Sequence, residues 1–290
     1  MSNLERRYRR LLKVLPRWYR ADREEEMVGI FLADRTDELD LEHSWPGWGE
    51  TGAVLGLGVR THLAAGAALT SVPAKVLWRG EVVRALGMFG LLLGVFFAGA
   101  AVTSLAVAYG NPEWAAEISW WRVLELGPIV AFAALLSGRR TLAKVAALAP
   151  VLLAVASLGE YRYLLMWSAF QLPSLVTFVC LCLGFHREAP TPPARRVLWW
   201  GGGALLLGVL GGFAPGAGLI AVGLVTVILR VVAFVRGDFV LGRALSLFAV
   251  LQLSPLAFLL AGGEVLVLAL PIVVLLVLSA VAPVRKPRVS

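Results

Sequence analysis

Charge is scarce in this chain. Only 16% of its 290 residues are Asp, Glu, Lys or Arg, against about 25% in an ordinary soluble domain. Apolar residues fill the deficit, at 59% of the chain with a mean hydropathy of +0.78, which is more than a soluble core hides and excludes disorder for the bulk of the sequence. Cysteine is also scarce: Cys180 and Cys182 are the only two. That excludes a disulfide scaffold, and a two-residue spacing in an apolar run points the thiols apart on a helix rather than towards a shared metal. The four lysines, Lys13, Lys75, Lys144 and Lys286, close no G-x-x-x-x-G-K loop, so the chain is not itself expected to be an ATPase. His43, His62 and His186 lie far apart without an H-E-x-x-H motif or a carboxylate at ligand spacing, and no G-x-S-x-G elbow is present. No metal, no cofactor and no enzymatic activity are expected.

What charge there is divides the chain. Residues 1–84 hold 13 of the 27 Lys and Arg and 12 of the 19 Asp and Glu, so this part is charge-rich and almost neutral. The remainder is apolar and carries nearly all of the +8 net charge. The expected organisation is a cytoplasmic helical module over residues 1–75, a juxtamembrane connector over 76–84, a transmembrane bundle over 85–283 and a basic tail over 284–290. Arg6, Arg7, Arg9 and Arg10 are followed by no apolar stretch of signal-peptide type, so the first segment is expected to stay in the cytoplasm.

The fold class expected is all-α, a polytopic bundle of about eight spans behind a three-helix module. Candidate spans lie near 85–107, 164–185 and 265–281, with shorter or interrupted ones near 119–137, 143–158, 197–213, 216–235 and 245–261, the tight Gly-rich links between the last few leaving six or seven as the alternative. With the N-terminus inside, the inner loops receive Arg139, Arg140 and Lys144, then Arg187, Arg195 and Arg196, then Arg230, Arg236 and Arg243. The tail adds Arg285, Lys286 and Arg288, while the outer loops hold Glu113, Glu117, Glu160 and Glu264 with the single cation Arg162. This asymmetry follows the positive-inside rule and places both termini in the cytoplasm, at the plasma (inner) membrane. The excess charge therefore reports orientation, and no nucleic-acid partner is expected. Tyr109, Trp114, Trp120, Trp121, Tyr161, Tyr163 and Trp167 fall at the outer interface, and Trp78, Trp199 and Trp200 at the inner one.

Ionisable groups inside spans mark function by default, and few are present. Arg122 and Glu125, three apart, can pair on one helix face near an outer span end. Arg230 and Arg243 are expected to snorkel from inner span ends, and Gln171 and Gln252 are the mid-span amides. Pro128, Pro150, Pro173, Pro255 and Pro271 are expected to interrupt spans. Gly87, Gly90, Gly94, Ala98 and Ala101, and again Gly208 and Gly212, make small-residue stripes suited to close helix contact.

The N-terminal segment is charge-polarised. Residues 1–20 carry seven basic residues and one acidic, whereas residues 21–50 carry two basic and ten acidic. Leu4, Tyr8, Leu11, Leu12 and Leu15 predict an amphipathic helix over 3–15 that ends near Pro16. A second helix is expected over Arg20–Asp40, burying Met27, Ile30 and Phe31 and pairing antiparallel with the first. A third is expected over Thr51–Thr70, with Val54, Leu55, Val59 and Leu63 apolar. The residues expected to meet a partner or the membrane surface are Tyr8, Arg9, Leu12, Trp18, Tyr19, Glu26 and Met27.

Leu4-Glu5-Arg6-Arg7-Tyr8-Arg9-Arg10-Leu11-Leu12, then Leu15-Pro16, Trp18-Tyr19-Arg20 and Arg23-Glu24-Glu25-Glu26-Met27 resemble the opening of the HAAS-type actinobacterial membrane proteins. The resemblance covers about residues 3–70 and implies a short cytoplasmic helical module ahead of a multi-span region, often encoded beside PadR-type regulators. It implies no catalytic residues. The expected function is a signalling or accessory membrane component that contacts the lipid bilayer and binds a cytoplasmic or membrane protein partner. The alternative is a permease subunit served by a separate ATPase subunit.

Overall fold

The computed structural model describes residues 2–33, 35, 42, 44–65, 72–111, 120–156, 164–186, 189, 192–261 and 266–283. Outside them lie the ends of the second and third expected helices, the outer-loop residues Glu113, Trp114, Glu117, Glu160, Tyr161, Arg162, Tyr163 and Glu264, and Arg187, Arg285, Lys286 and Arg288. The protein is all-α and forms two compact units, Met1–Gly80 and Glu81–Ser290.

The first unit is built from α1 (Asn3–Leu12), α2 (Arg17–Ala33) and α3 (Trp48–His62) and runs into the start of α4 (Ala74–Tyr109). Ser2 caps α1, its Oγ accepting the Glu5 N–H at 3.2 Å. Pro16 cannot continue that helix, and its carbonyl instead takes the Tyr19 and Arg20 N–H groups to begin α2. The hydrophobic faces are rotated from those expected. In α2, Val28 is buried with Met27 and Phe31 packed beside it, but Ile30 is 70% exposed. In α3 the inward face is Val54, Gly58 and Thr61, and Leu55 and Val59 point out. The expected connector, 76–84, is continuous helix within α4. Gly80 is required there because a Cβ would collide with the Ala64 carbonyl.

The second unit continues from Glu81 along α4. It contains a 3₁₀ segment (Trp120–Leu126), α5 (Gly127–Leu136), α6 (Arg140–Ala147), α7 (Ala149–Ala156), α8 (Leu164–Gly184), α9 (Ala194–Gly211), α10 (Pro215–Arg236), α11 (Phe239–Ala261) and α12 (Leu266–Val281). Among the described residues three helices are long and apolar enough to cross a bilayer: Ala74–Tyr109, Gly216–Arg236 and Phe239–Leu256. This is not the eight expected, and the departures have local causes. The 119–137 stretch divides into a 3₁₀ turn and a ten-residue helix. The 143–158 stretch divides at Leu148 into two eight-residue helices. Pro128 and Pro150 begin helices rather than kinking them, which suits a residue without an N–H. Arg195, Arg196, Trp199 and Trp200 dilute the start of α9.

Small residues set the packing of this unit. A Cβ on Gly87 would meet the Cys180 Cβ at 3.1 Å, and one on Gly94 the Pro128 Cβ at 2.9 Å. Gly90 lies against Thr177, and Ala98 is wholly buried. Gly208 and Gly212 lie against the Phe96 and Ala100 carbonyls, and Thr103 Oγ1 donates to the Val209 carbonyl at 2.7 Å. Both stripes are contact faces, with α4 between α8 and α9. Turns at Gly138 (φ 76°) and Gly237 (φ 69°) use the left-handed region open to glycine.

The outer surface of this unit is apolar. Only 28% of the Gly216–Arg236 stretch is buried, and Leu206, Leu210, Phe213, Ile228, Val231 and Leu278 are each more than half exposed. Soluble monomers avoid apolar patches of this extent, whereas a bilayer accepts them.

Candidate functional site

In the N-terminal module, the link Lys13–Pro16 folds α2 back on α1. Tyr8 stacks on Phe31 with ring centroids 3.9 Å apart and planes at 5°. Leu4, Tyr8, Leu12 and Leu15 are buried, and Tyr19, Met27, Phe31 and Leu57 pack on the same core. Tyr8 and Leu12, read from sequence as contact residues, are thus in the module's interior, and burial raises the Tyr8 phenol above its ordinary pKa, with Glu50 adding to it.

Arg9 joins the two helices. Its Nη1 and Nη2 donate to Glu25 Oε1 and Oε2 at 2.7 and 2.8 Å, its Nε to Glu5 Oε1 at 2.9 Å, and Glu24 stands 3.7 Å away. This is the antiparallel match of basic and acidic segments. The fork on the carboxylate holds Glu25 below the usual carboxylate range and raises Arg9 further above its own. A depressed carboxylate pKa contributes stability above the ordinary range and loses it as pH falls through the folded value. The thermal midpoint of the module is therefore expected to fall as acid is added below about pH 4, and Glu25→Gln is expected to remove part of that slope. A slope identical in both proteins would show that the pair contributes nothing.

Of the remaining expected contact residues, Glu26 is exposed and paired with Arg23 at 2.9 Å, and Trp18 packs edge-on against Tyr19. Sequence reasoning missed the outer face of α3. Trp48, Leu55 and Val59, at seven- and four-residue spacing, are 92%, 46% and 53% exposed, and Gly52 and Gly56 between them have open space in front. The periodicity was visible, but the adjacent Val54 and Leu57 made the inward face ambiguous.

In the second unit Arg122 Nε donates to Glu125 Oε1 at 3.0 Å, as the spacing predicts, and its Nη2 reaches Ser104 Oγ on α4 at 3.4 Å. The pair is partly exposed and tied to a neighbouring helix, which gives it a positioning role. Arg230 departs from expectation. It does not snorkel but is 3% exposed. Its Nε donates to Ser246 Oγ on α11 at 3.1 Å and its Nη2 to the Ala282 and Pro283 carbonyls past the end of α12 at 3.0 and 3.4 Å. Ser246 Oγ itself donates to the Ser279 carbonyl at 3.1 Å. One guanidinium thus joins three helices. Deeper in the same group, Gln252 Nε2 donates to Thr226 Oγ1 at 2.7 Å.

Arginine donation to backbone carbonyls recurs. Arg79 reaches the His62 carbonyl at 3.0 Å, and Arg140 reaches those of His186 and Ala189 at 2.6 Å each. The first satisfies an acceptor that the C-terminus of α3 leaves open, where the helix dipole favours a cation, and the second ties the segment that follows α8 to α6. Among the described residues no cluster of His, Cys, Asp and Glu can hold a metal ion. Comparison of the chain with known protein families, with curated proteins and with solved structures finds no match.

Proposed function

We propose that the chain is a polytopic inner-membrane protein of signalling or accessory type, whose cytoplasmic N-terminal module docks a protein partner. The observation that carries this reading is the outer face of α3, where Trp48, Leu55 and Val59 stand exposed above a closed core. A membrane-surface role has less support. Interfacial helices surround their apolar face with Lys and Arg, whereas α3 bears one arginine, Arg60, and one glutamate, Glu50. The basic residue Arg9 on α1 is already neutralised by glutamates. The resemblance of residues 3–70 to HAAS-type proteins is consistent with a module of this kind.

More than three crossings belong to the same proposal. Laid end to end, the 3₁₀ segment and α5 would rise roughly 29 Å, taking about 2.0 and 1.5 Å per residue, which matches a hydrocarbon core of about 30 Å. The alternating loop charges support the cytoplasmic placement of both termini. The permease alternative relies on helix breaks that offer backbone groups to a substrate. In α11 the Leu251 carbonyl that Pro255 deprives of a donor is taken by Ser254 Oγ at 3.0 Å, so that carbonyl is not left open to a substrate.

Photoreactive residues placed at Trp48 and at Leu55 of the full chain, in native membranes, test the docking reading. Both are expected to give the same protein adduct, while a control at Arg23 gives none. Adducts with lipid alone at both positions would contradict it.

A further inference from the structure

We propose that the outward face of α1 is a docking surface for the anionic headgroups of the cytoplasmic leaflet. The inference rests on the bilayer reading of residues 81–290 with the module on the cytoplasmic side. It concerns a face distinct from the exposed face of α3.

The core of the module takes one face of α1, where Leu4, Tyr8 and Leu12 are buried. A helical turn of about 3.6 residues places Arg6, Arg10 and Lys13 on the opposite face, and all three are exposed. Arg17, the first residue of α2, is exposed as well. The cations on the flanks of α1 are engaged: Arg9 is held by Glu5 and Glu25, and Arg7 lies over the Trp45 ring at 4.4 Å. Among the described residues no carboxylate lies within ion-pair distance of Arg6, Arg10, Lys13 or Arg17. Like charges three and four residues apart repel along a helix, so this face is one that an external anionic surface relieves.

Two observations select a headgroup layer over a protein as the occupant. Within α1 the outward face holds Asn3 and the three cations, with no apolar or aromatic side chain among them. Protein interfaces centre on buried aromatic or aliphatic anchors and are depleted of lysine, whereas charge alone draws a basic segment to an anionic leaflet. The second observation is the attachment of the module. Arg79 on α4 donates to the His62 carbonyl, Gly80 packs on Ala64, and Glu81, the next residue of α4, begins the apolar unit. The module is therefore tethered to a helix long and apolar enough to cross a bilayer, which keeps the leaflet at high effective concentration. Because the apolar face of α1 is already buried in the module core, the contact is electrostatic, at headgroup depth and without insertion.

The test uses the full chain with Cys180 and Cys182 replaced by alanine and Asn3→Cys carrying an NBD fluorophore. It is reconstituted in nanodiscs of phosphatidylcholine, with or without phosphatidylglycerol, that contain a headgroup-nitroxide lipid as a contact quencher. Quenching is expected to be at least about threefold stronger with phosphatidylglycerol, and to fall to the phosphatidylcholine level in about 1 M salt, where the screening length is about 3 Å. The combined variant Arg6→Gln, Arg10→Gln, Lys13→Gln is expected to lose the phosphatidylglycerol effect, since each cation near the leaflet is worth about a fivefold factor in partition. Should that variant not fold, Arg10→Gln alone decides, with about a fivefold weaker partition expected. Equal quenching in the two lipid mixtures, or an undiminished phosphatidylglycerol effect in the variant, overturns the proposal. A chain that leaves the discs altogether contradicts the bilayer reading itself. In native membranes a photoreactive residue at Asn3 is expected to give lipid adducts; a protein adduct there identifies an acidic polypeptide as the occupant and overturns the lipid surface.

Discussion

Gly208→Val is expected to separate α9 from α4 and to lose most of the folded protein recovered in detergent. A Cβ at Gly208 would collide with the Phe96 carbonyl oxygen and stand 2.9 and 3.0 Å from the Phe96 C and Cα. These are backbone atoms on a packed helix and have no rotamer to escape into. Overpacking costs about 1–3 kcal/mol where side chains can yield, so a backbone obstacle belongs at or above the upper end. The reciprocal contact compounds the effect, since Gly99 faces the Leu205 carbonyl and the Val209 N. Gly202 supplies the control, because nothing lies within 4 Å of a Cβ added there. Gly202→Val is expected to keep the wild-type profile in size-exclusion chromatography and a midpoint within a few degrees of it. Equal tolerance of both substitutions would mean that the two helices do not pack through this stripe.

Tyr8→Ala is the second large effect. Tyr8 is 6% exposed and carries the stack on Phe31 together with contacts to the α1–α2–α3 core. Truncating a buried aromatic costs about 3–5 kcal/mol, a large share of what so small a module can possess. Partial trypsin digestion of the full chain reads the outcome, since the module is rich in arginine. Cleavage within residues 1–35 is expected to accelerate about a hundredfold, the equivalent of about 3 kcal/mol in the open population. Tyr8→Phe keeps the ring and is expected to digest like the wild type. Unchanged protection in Tyr8→Ala would refute the preformed core on which the docking surface depends.

Much of the module was legible in sequence because its signals are local. The stop at Pro16 and the opposed charges of residues 1–20 and 21–50 predict a hairpin, and the Arg9 fork on Glu25 is that hairpin. The phase of α2 was not legible. Met27, Val28, Ile30, Phe31 and Leu32 are all apolar and spread over more than one face, so only the contact with Tyr8 and Val54 selects Val28 over Ile30. Hydropathy in the second unit reports the amount of apolar chain but not where a helix breaks. Within apolar stretches Pro128 and Pro150 predict interruptions, yet each stands at the first turn of a helix. Arg230 illustrates the remaining gap. Its position six residues before Arg236 suggests a side chain reaching outward, while its partners are 16 and 52 residues away in sequence. No window along the chain contains that information.

The same separation divides the residues that build the module from those that stand on its surface. Tyr8, Arg9 and Leu12 are conspicuous in sequence, and their aromatic, charged and apolar groups build the module. What remains at its surface is the plainer set Trp48, Leu55 and Val59, whose role depends on a burial pattern that becomes visible only once α1 and α3 meet.

The central claim is that residues 81–290 cross the bilayer with the N-terminal module on the cytoplasmic side. Thiol accessibility in intact cells tests it most directly, using a chain in which Cys180 and Cys182 are replaced by alanine. In that background Glu113→Cys is predicted to react with an impermeant maleimide in intact cells, and Ser137→Cys, in the exposed turn between α5 and α6, only after permeabilisation. Labelling of both in intact cells would contradict a crossing between them, and the reverse pattern would contradict the orientation.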